Sequence, residues 1–252
     1  VNTITLNKMK KDFNFSKFFV EYGAIISLGA LLLFNIVFTR NFVKTGTFMT
    51  IIKQATPILF TTIGMTFVIS SGGTDISAGS MMAFAGEITA ISLVSGDSFV
   101  FSVLKALLLC ILIGVFNGVL ISKVGVQPII LTLVMQIVMR GVTVILVKAR
   151  VYPVNRYPEI KWLGLGQIFG SIPSQILFFI LASILGIFLI NKTVFGKYVE
   201  AIGESPKAAR LSGIRTVAVI VAVYALSALF AGIGGILEMA RNGAMDPNEL
   251  GR

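Results

Sequence analysis

Apolar residues in this chain gather in blocks of nearly span length, separated by short polar or basic stretches. A helix crosses the hydrocarbon core of a bilayer in about 20 residues. In lipid each such helix satisfies its own backbone hydrogen bonds, since the solvent offers none. The pattern therefore predicts an all-α, polytopic transmembrane bundle with about seven spans, at residues 20–38, 51–70, 76–94, 99–121, 128–147, 175–190 and 217–240. The first block is longer than the core of a signal peptide and lacks a small-residue exit, which predicts a retained anchor. Pro57 is placed one turn into the second span, where a proline is easily accommodated.

Two connections are long. Residues 148–174 carry Tyr152, Tyr157 and Trp162, amphipathic rings suited to a membrane interface. Residues 191–216 contain two helix signals. Ser205 before Pro206 starts a helix and Gly213 stops it, while an upstream helix over 196–202 ends at Gly203. A pair of short helices protruding from a membrane bundle is a docking surface for a soluble partner.

Composition sharpens this picture mainly by exclusion. Of 252 residues 56% are hydrophobic and 13% are charged, against about a quarter charged in a soluble domain. Mean hydropathy is +0.92. The chain has no histidine and one cysteine, Cys110, inside an apolar run. That removes histidine acid–base chemistry, Cys/His metal clusters and an intramolecular disulfide, and no cofactor or metal site is expected. Cys110 is expected to be a small buried hydrophobe. The net charge of +10 does not point to nucleic acid, because the basic residues flank apolar spans and face the headgroups of the lipid bilayer. Lysine and arginine divide almost evenly between the two sides. An inside N-terminus is preferred because it puts the N-terminal basic cluster and the 191–216 loop together.

Polar residues inside the spans are costly, at about 2.5–3.5 kcal/mol for a charge near the helix centre. Glu87 in the third span and Arg140 in the fifth lie at nearly equal depth along parallel helices, which predicts that they pair, directly or through one intermediary. Lys105 is expected to snorkel outward, and Glu238 to neutralise Arg241 three residues on. Gly114-x-x-x-Gly118, Ala228-x-x-x-Gly232 and Ala231-x-x-x-Gly235 are small-residue faces for close helix packing. The stretch 71–80, Ser-Gly-Gly-Thr-Asp-Ile-Ser-Ala-Gly-Ser, interrupts an apolar run. It reads either as a polar surface turn or as a broken helix lining a substrate path. Asp75 or Ser77 is the candidate cap for the helix that follows.

Four ordered stretches resemble the permease subunits of ribose-type (monosaccharide) ABC importers. Residues 73–80 are similar to that family's Gly-Ile-Asp-Leu-Ser-Val-Gly-Ser. Asn117-Gly118, Val126-Gln127-Pro128, Thr132-Leu133 and Arg140-Gly141 follow a second block. Phe195 to Gly203 with Ala208 to Ile214 follow a third, and Leu226-Ser227 with Asp246-Pro247 a fourth.

The resemblance implies an ATP-driven importer of the bacterial inner membrane, multi-pass, with a cytoplasmic N-terminus. It implies a periplasmic sugar-binding protein, a second permease copy (identical or not) and a separate ABC ATPase. The ATPase would move a coupling loop at 193–215, through Glu200, Ala201, Gly203, Pro206, Ala208, Ala209, Ser212 and Gly213. Thr74, Asp75, Ser77, Asn117 and Gln127 are the implied translocation-path residues. The chain itself lacks a phosphate-cradling Gly-x-x-x-x-Gly-Lys-Ser/Thr loop, so it is expected to be a transport subunit and not an enzyme.

Thr74 replaces an apolar residue of the family pattern, Gln127 a proline and Ser205 an asparagine; the first two bear on substrate choice. Family members continue past Asp246-Pro247. The chain is therefore expected to be one permease domain over 1–252, incomplete at its C-terminus. The alternative function is an ion-coupled secondary transporter of a small polar solute, with Glu87 as its titratable carboxylate.

Overall fold

The computed structural model describes residues 15–148, 150–168, 170 and 172–245, with side chains from Tyr22 onward. The basic cluster at residues 8–11 and Asp246-Pro247 lie outside the described residues. Two compact units divide the chain, Val1–Phe48 and Met49–Arg252.

The first unit holds helix α1 (Phe15–Phe38), apolar along nearly its whole length. Among its described side chains, Ser27 and Asn35 bond locally. Asn35 donates its side-chain amide to the Leu31 carbonyl at 2.8 Å, and Thr39 donates to Asn35 at 3.0 Å.

Helix α2 (Thr45–Ser70) leads into the second unit, which continues with α3 (Ala78–Val94), α4 (Phe99–Val119), α5 (Pro128–Val147) and α6 (Pro158–Leu165). Then come strands β1 (Gln167–Ile168) and β2 (Ile172–Pro173), and helices α7 (Ser174–Lys192), α8 (Val194–Glu204), α9 (Pro206–Leu211) and α10 (Thr216–Asn242). Helix α4 runs on through a π-helical turn, Leu120–Val124, that ends at Gly125 with φ of 81°. Among the described residues, five helices are long and apolar enough to cross a membrane: α2, α4 with its extension, α5, α7 and α10. Tyr22–Phe38 and α3 are apolar but shorter. All seven expected spans are thus helical, and the chain is a multi-pass helical membrane protein.

Helix α3 is the core of the second unit. Most of its residues are buried, on all sides, as expected of a helix without an amphipathic stripe. At 1.5 Å per residue its 17 residues reach roughly 25 Å, short of a bilayer core of about 30 Å. The irregular segment 71–77 precedes it. Helix α10 is the other hub and packs on α3 and α4. Its Gly235 lies so close to the Met82 main chain that a Cβ there would overlap it, and a Cβ on Gly114 of α4 would stand 2.5 Å from the Tyr224 carbonyl oxygen. The small-residue faces work as expected, exchanging side-chain volume for backbone approach and dispersion contacts. Cys110 is buried in the same core.

The second unit has two distinguishable ends. At one, the C-terminus of α2, the π-turn of α4, helices α8 and α9, and the start of α10 gather around Phe67, Val68, Val199, Ile202 and Val223. At the other, the Val154 N–H donates to the Gly243 carbonyl at 2.8 Å and the Tyr157 hydroxyl donates to the Leu93 carbonyl at 2.6 Å.

One sequence expectation is corrected here. Helix α2 begins at Thr45, so Pro57 lies three turns inside it, not one. Neighbouring helices make an interior proline tolerable in a span, and the Pro57 carbonyl lies against Gly234 of α10. The 148–174 connection, read from sequence only as a segment suited to a membrane interface, contains a short helix. Pro158 opens the short helix α6, and Ile160 and Gly164 are buried there. Gly164 fits directly against the Ala240 carbonyl of α10, a tertiary contact that supports a helix too short to stand alone.

Candidate functional site

Helix α2 stops because its last turn folds back on itself. The Gly73 N–H donates to the Val68 carbonyl at 2.9 Å, the Gly72 N–H donates to the Ile69 carbonyl at 2.9 Å, and Gly72 has φ of 77°. This is a Schellman cap, which needs a left-handed residue that glycine adopts without strain. The chain then runs through 73–77 without helix and enters α3 at Ala78.

The segment turns its polar side chains inward while Gly72 and Ile76 stay exposed, which argues against a simple polar surface turn. Asp75 is only 4% exposed, and Ser71 and Ser77 are buried as well. The Asp75 carboxyl receives three hydrogen bonds. The Ser77 N–H and hydroxyl donate to Oδ1 at 3.0 and 2.6 Å, and the Ser227 hydroxyl of α10 donates to Oδ2 at 2.9 Å. Neighbouring backbone is pinned too. Tyr224 of α10 donates its hydroxyl to the Thr74 carbonyl at 3.2 Å, and the Ile76 N–H donates to Oγ1 of Thr132 on α5 at 3.1 Å. Thr132 in turn donates to the Pro128 carbonyl at 2.8 Å. Asp75 makes no ion pair among the described residues; hydroxyl and amide donors meet the cost of its burial. Ser77 occupies the cap position of α3 without using its side chain as a cap; its hydroxyl is spent on Asp75 instead.

Of the five implied path residues, Thr74, Asp75 and Ser77 stand together. Asn117 is buried on α4, one residue from the Gly118 contact with Val221, and its Oδ1 has no hydrogen-bond partner among the described residues. Gln127 is exposed at the start of α5 and makes no capping bond. Neither hydrogen-bonds to the cluster around Asp75. Thr132, Tyr224 and Ser227 do complete it, and sequence reasoning assigned them no site role. The usable signal was Tyr224 and Ser227 themselves, two polar groups three residues apart on one face of an apolar span. Glu87 is buried further along α3, and Arg140 is half-buried on α5, which packs against α3.

The paired helices lie at the same end of the unit as the break. Thr193 caps α8 by accepting the Gly196 N–H at 3.2 Å, and Ser205 caps α9 by accepting the Ala208 N–H at 3.3 Å. Gly213, with φ of 84°, follows the end of α9. The expected boundaries hold within two residues, α8 running over 194–204 where 196–202 was predicted. Gly196, Val199, Ile202 and Ala209 form the buried underside, and Ala201 and Gly203 are half-buried. Glu200, Pro206, Ala208, Ser212 and Gly213 are exposed. So is Leu211, at 82%, between exposed Lys207, Arg210 and Arg215. An apolar side chain this exposed on a cationic knob was not singled out by the sequence.

A bundle of membrane-crossing helices with a polar break and a short exposed helix pair is the architecture of a polytopic membrane protein. The family model described as "Branched-chain amino acid transport system / permease component" matches residues 47–251, and the chain belongs to this permease family. It is 35% identical over 206 residues to the galactofuranose transporter permease protein YtfT of Escherichia coli (strain K12), covering 82% of this chain and 60% of that protein. It is 34% identical over 198 residues to the fructose import permease protein FruF of Bifidobacterium longum, covering 77% and 55% respectively. It is 31% identical over 233 residues to the ribose import permease protein RbsC of E. coli K12, covering 90% and 72%. The chain thus spans between about half and three quarters of these relatives. No solved structure matches it.

Proposed function

We propose that the chain is the membrane-spanning subunit of an ATP-driven importer that moves a monosaccharide across a bacterial inner membrane, with its N-terminus in the cytoplasm. The observation that carries this reading is the set of sugar permeases it resembles along most of its length. The family description names amino acids, but the curated relatives reported above import sugars, and a polar, hydroxyl-rich break suits a hydroxylated solute. Nothing in the comparisons favours the ion-coupled alternative.

In this reading a periplasmic sugar-binding protein delivers the substrate and a second permease copy completes the path. A separate ABC ATPase docks on α8–α9. The exposed residues Glu200, Pro206, Ala208, Ser212 and Gly213, with Leu211 at the tip, face that ATPase. Thr74, Asp75 and Ser77 belong to the path at the docking end of the bundle. Glu87 and Arg140 neutralise one another deeper in the unit. The chain binds no nucleotide and does no bond chemistry; it turns partner motion into alternating access.

The test is reconstitution of the chain with its co-purifying ATPase and binding protein in proteoliposomes, followed by uptake of labelled monosaccharides. ATP-dependent uptake of one sugar supports the assignment. Uptake driven by an ion gradient without any ATPase overturns it.

A further inference from the structure

Gly203, next to last in α8, has no side chain for a structural reason. A Cβ built on it would overlap the carbonyl oxygen of Ser70, the last residue of α2, and would also lie 3.4 Å from the Gly72 nitrogen. From the other side, a Cβ on Gly72 would touch Gly203 in ordinary contact, 3.6 Å from its Cα. The C-terminal turns of α2 and α8, with Ser70 and Gly203 133 positions apart in sequence, therefore meet as bare backbone. Beneath this contact, Val199 and Ile202 of α8 pack in one buried cluster with Phe67 and Val68 of α2 and Val223 and Tyr224 of α10. The Phe67 and Phe195 rings lie 6.1 Å apart.

The chain beyond the contact leaves no slack. Gly73 follows Gly72, and a Cβ there would come within 2.8 Å of the Tyr224 hydroxyl. Thr74 gives its carbonyl to that same hydroxyl, and Asp75 is held by Ser77 and Ser227. Flexible side chains absorb small displacements by changing rotamer, whereas close-packed backbone passes them on.

We propose that Gly203 is a positioning residue through which motion of the α8–α9 pair displaces the 71–77 break and the buried Asp75 within it. This rests on α8–α9 being the ATPase-docking pair. Docking and transmission are then separate properties. The outer face of α9 binds the partner, and the inner face of α8, at one glycine, drives the break.

The experiment uses the full chain assembled with its ATPase and carrying Ile76→Cys, an exposed position within the break. The native Cys110 is buried and contributes little background. The rate of modification by a water-soluble maleimide is measured without nucleotide and with a non-hydrolysable ATP analogue. With Gly203 present the two rates are expected to differ by about five-fold, the low end of a typical coupling. With Gly203→Ala the difference is expected to vanish, read in those complexes from which the ATPase is still recovered. A nucleotide response that survives Gly203→Ala overturns the proposal, as does the absence of a response in the Gly203 chain. Failure of the unmodified chain to retain any ATPase overturns the docking reading and this proposal with it. If Gly203→Ala does not accumulate in the membrane, Val199→Ala decides. It keeps the backbone contact while thinning the apolar seat of α8, so a retained nucleotide response supports the proposal and a lost one, which would place transmission in that seat, overturns it.

Discussion

Ser227 donates its hydroxyl to Oδ2 of Asp75 at 2.9 Å, joining the middle of α10 to the break before α3 across 152 positions of sequence. The bond matters because Asp75 is buried and has no ion-pair partner among the described residues to replace a lost donor. Ser227→Ala is expected to lower stability by about 1 kcal/mol, within the range of interhelical hydrogen bonds measured in membrane proteins. Asp75→Ala combined with Ser227→Ala should cost no more than Asp75→Ala alone. Reversible unfolding in mixed detergent micelles of the two single variants and the double variant checks this, and fully additive losses would contradict the bond.

Close packing predicts opposite outcomes at two glycines. On Gly114 a Cβ meets the Tyr224 carbonyl oxygen at 2.5 Å and the Ala228 Cβ at 2.7 Å, whereas on Gly141 of α5 it meets nothing within 4 Å. Gly114→Val is expected to destabilise by at least about 1–3 kcal/mol through overpacking. Gly141→Ala is expected to be neutral or to stabilise by up to about 1 kcal/mol, from helix propensity. Thermal unfolding of the detergent-solubilised chain separates the two.

What the sequence made legible was whatever depends on local periodicity. The seven apolar blocks appear as helices, and Ser205, Pro206 and Gly213 mark the ends of α9 because capping acts within a turn or two. Hydropathy fixes which segments are apolar but not where a helix begins in neutral sequence, so α2 started six residues earlier than predicted and carried Pro57 into its interior. The polar run at 71–80 was visible, but its burial was not. Burial comes from Thr132, Tyr224 and Ser227, each at least 50 residues distant in sequence. Gln127 was grouped with Asp75 by resemblance alone, and the fold leaves it exposed at the start of α5. Helix α6 escaped notice because it exists by contact with α10 rather than by its own pattern.

The two ion pairs near the ends of helices differ in worth. Lys105 lies 3.7 Å from Asp97, with side chains 47% and 35% exposed, and also donates to Ser92 at 3.0 Å. Lys105→Met is expected to change stability by no more than about 0.5 kcal/mol, as usual for solvated pairs. Arg241 and Glu238 are more buried and bonded twice, with Asn242 also donating to Glu238 at 3.1 Å. Arg241→Met leaves a largely buried carboxyl short of donors and is expected to cost about 1–3 kcal/mol. Raising the salt concentration should shrink the first effect and leave most of the second, measured by the same unfolding assay.

Glu87 and Arg140 sit on helices that pack together, and the proposed neutralisation predicts a coupling between them. In a double-mutant cycle, Glu87→Gln and Arg140→Met should each destabilise. The pair together should recover at least about 1 kcal/mol relative to the sum, as coupled neighbours do. Additivity within about 0.5 kcal/mol would mean that each answers to a different group.

Leu211 separates the proposed docking function from the fold. It is 82% exposed at the end of α9, so replacing it removes almost no buried area, and surface substitutions of this kind usually stay within about 0.5 kcal/mol. Leu211→Asp is therefore expected to leave the thermal unfolding of the chain unchanged. A partner socket that accepts an apolar tip beside Lys207 and Arg210 would be rimmed by acidic groups, and an aspartate placed in it meets both desolvation and repulsion. ATPase recovered with the tagged chain should fall about tenfold or more, a loss of roughly 1.4 kcal/mol in binding. Lys207→Ala, which removes only a rim charge, should weaken recovery chiefly at low salt. Equal recovery with Leu211→Asp, from membranes where the native chain retrieves the ATPase, would move the docking face away from the tip of α9.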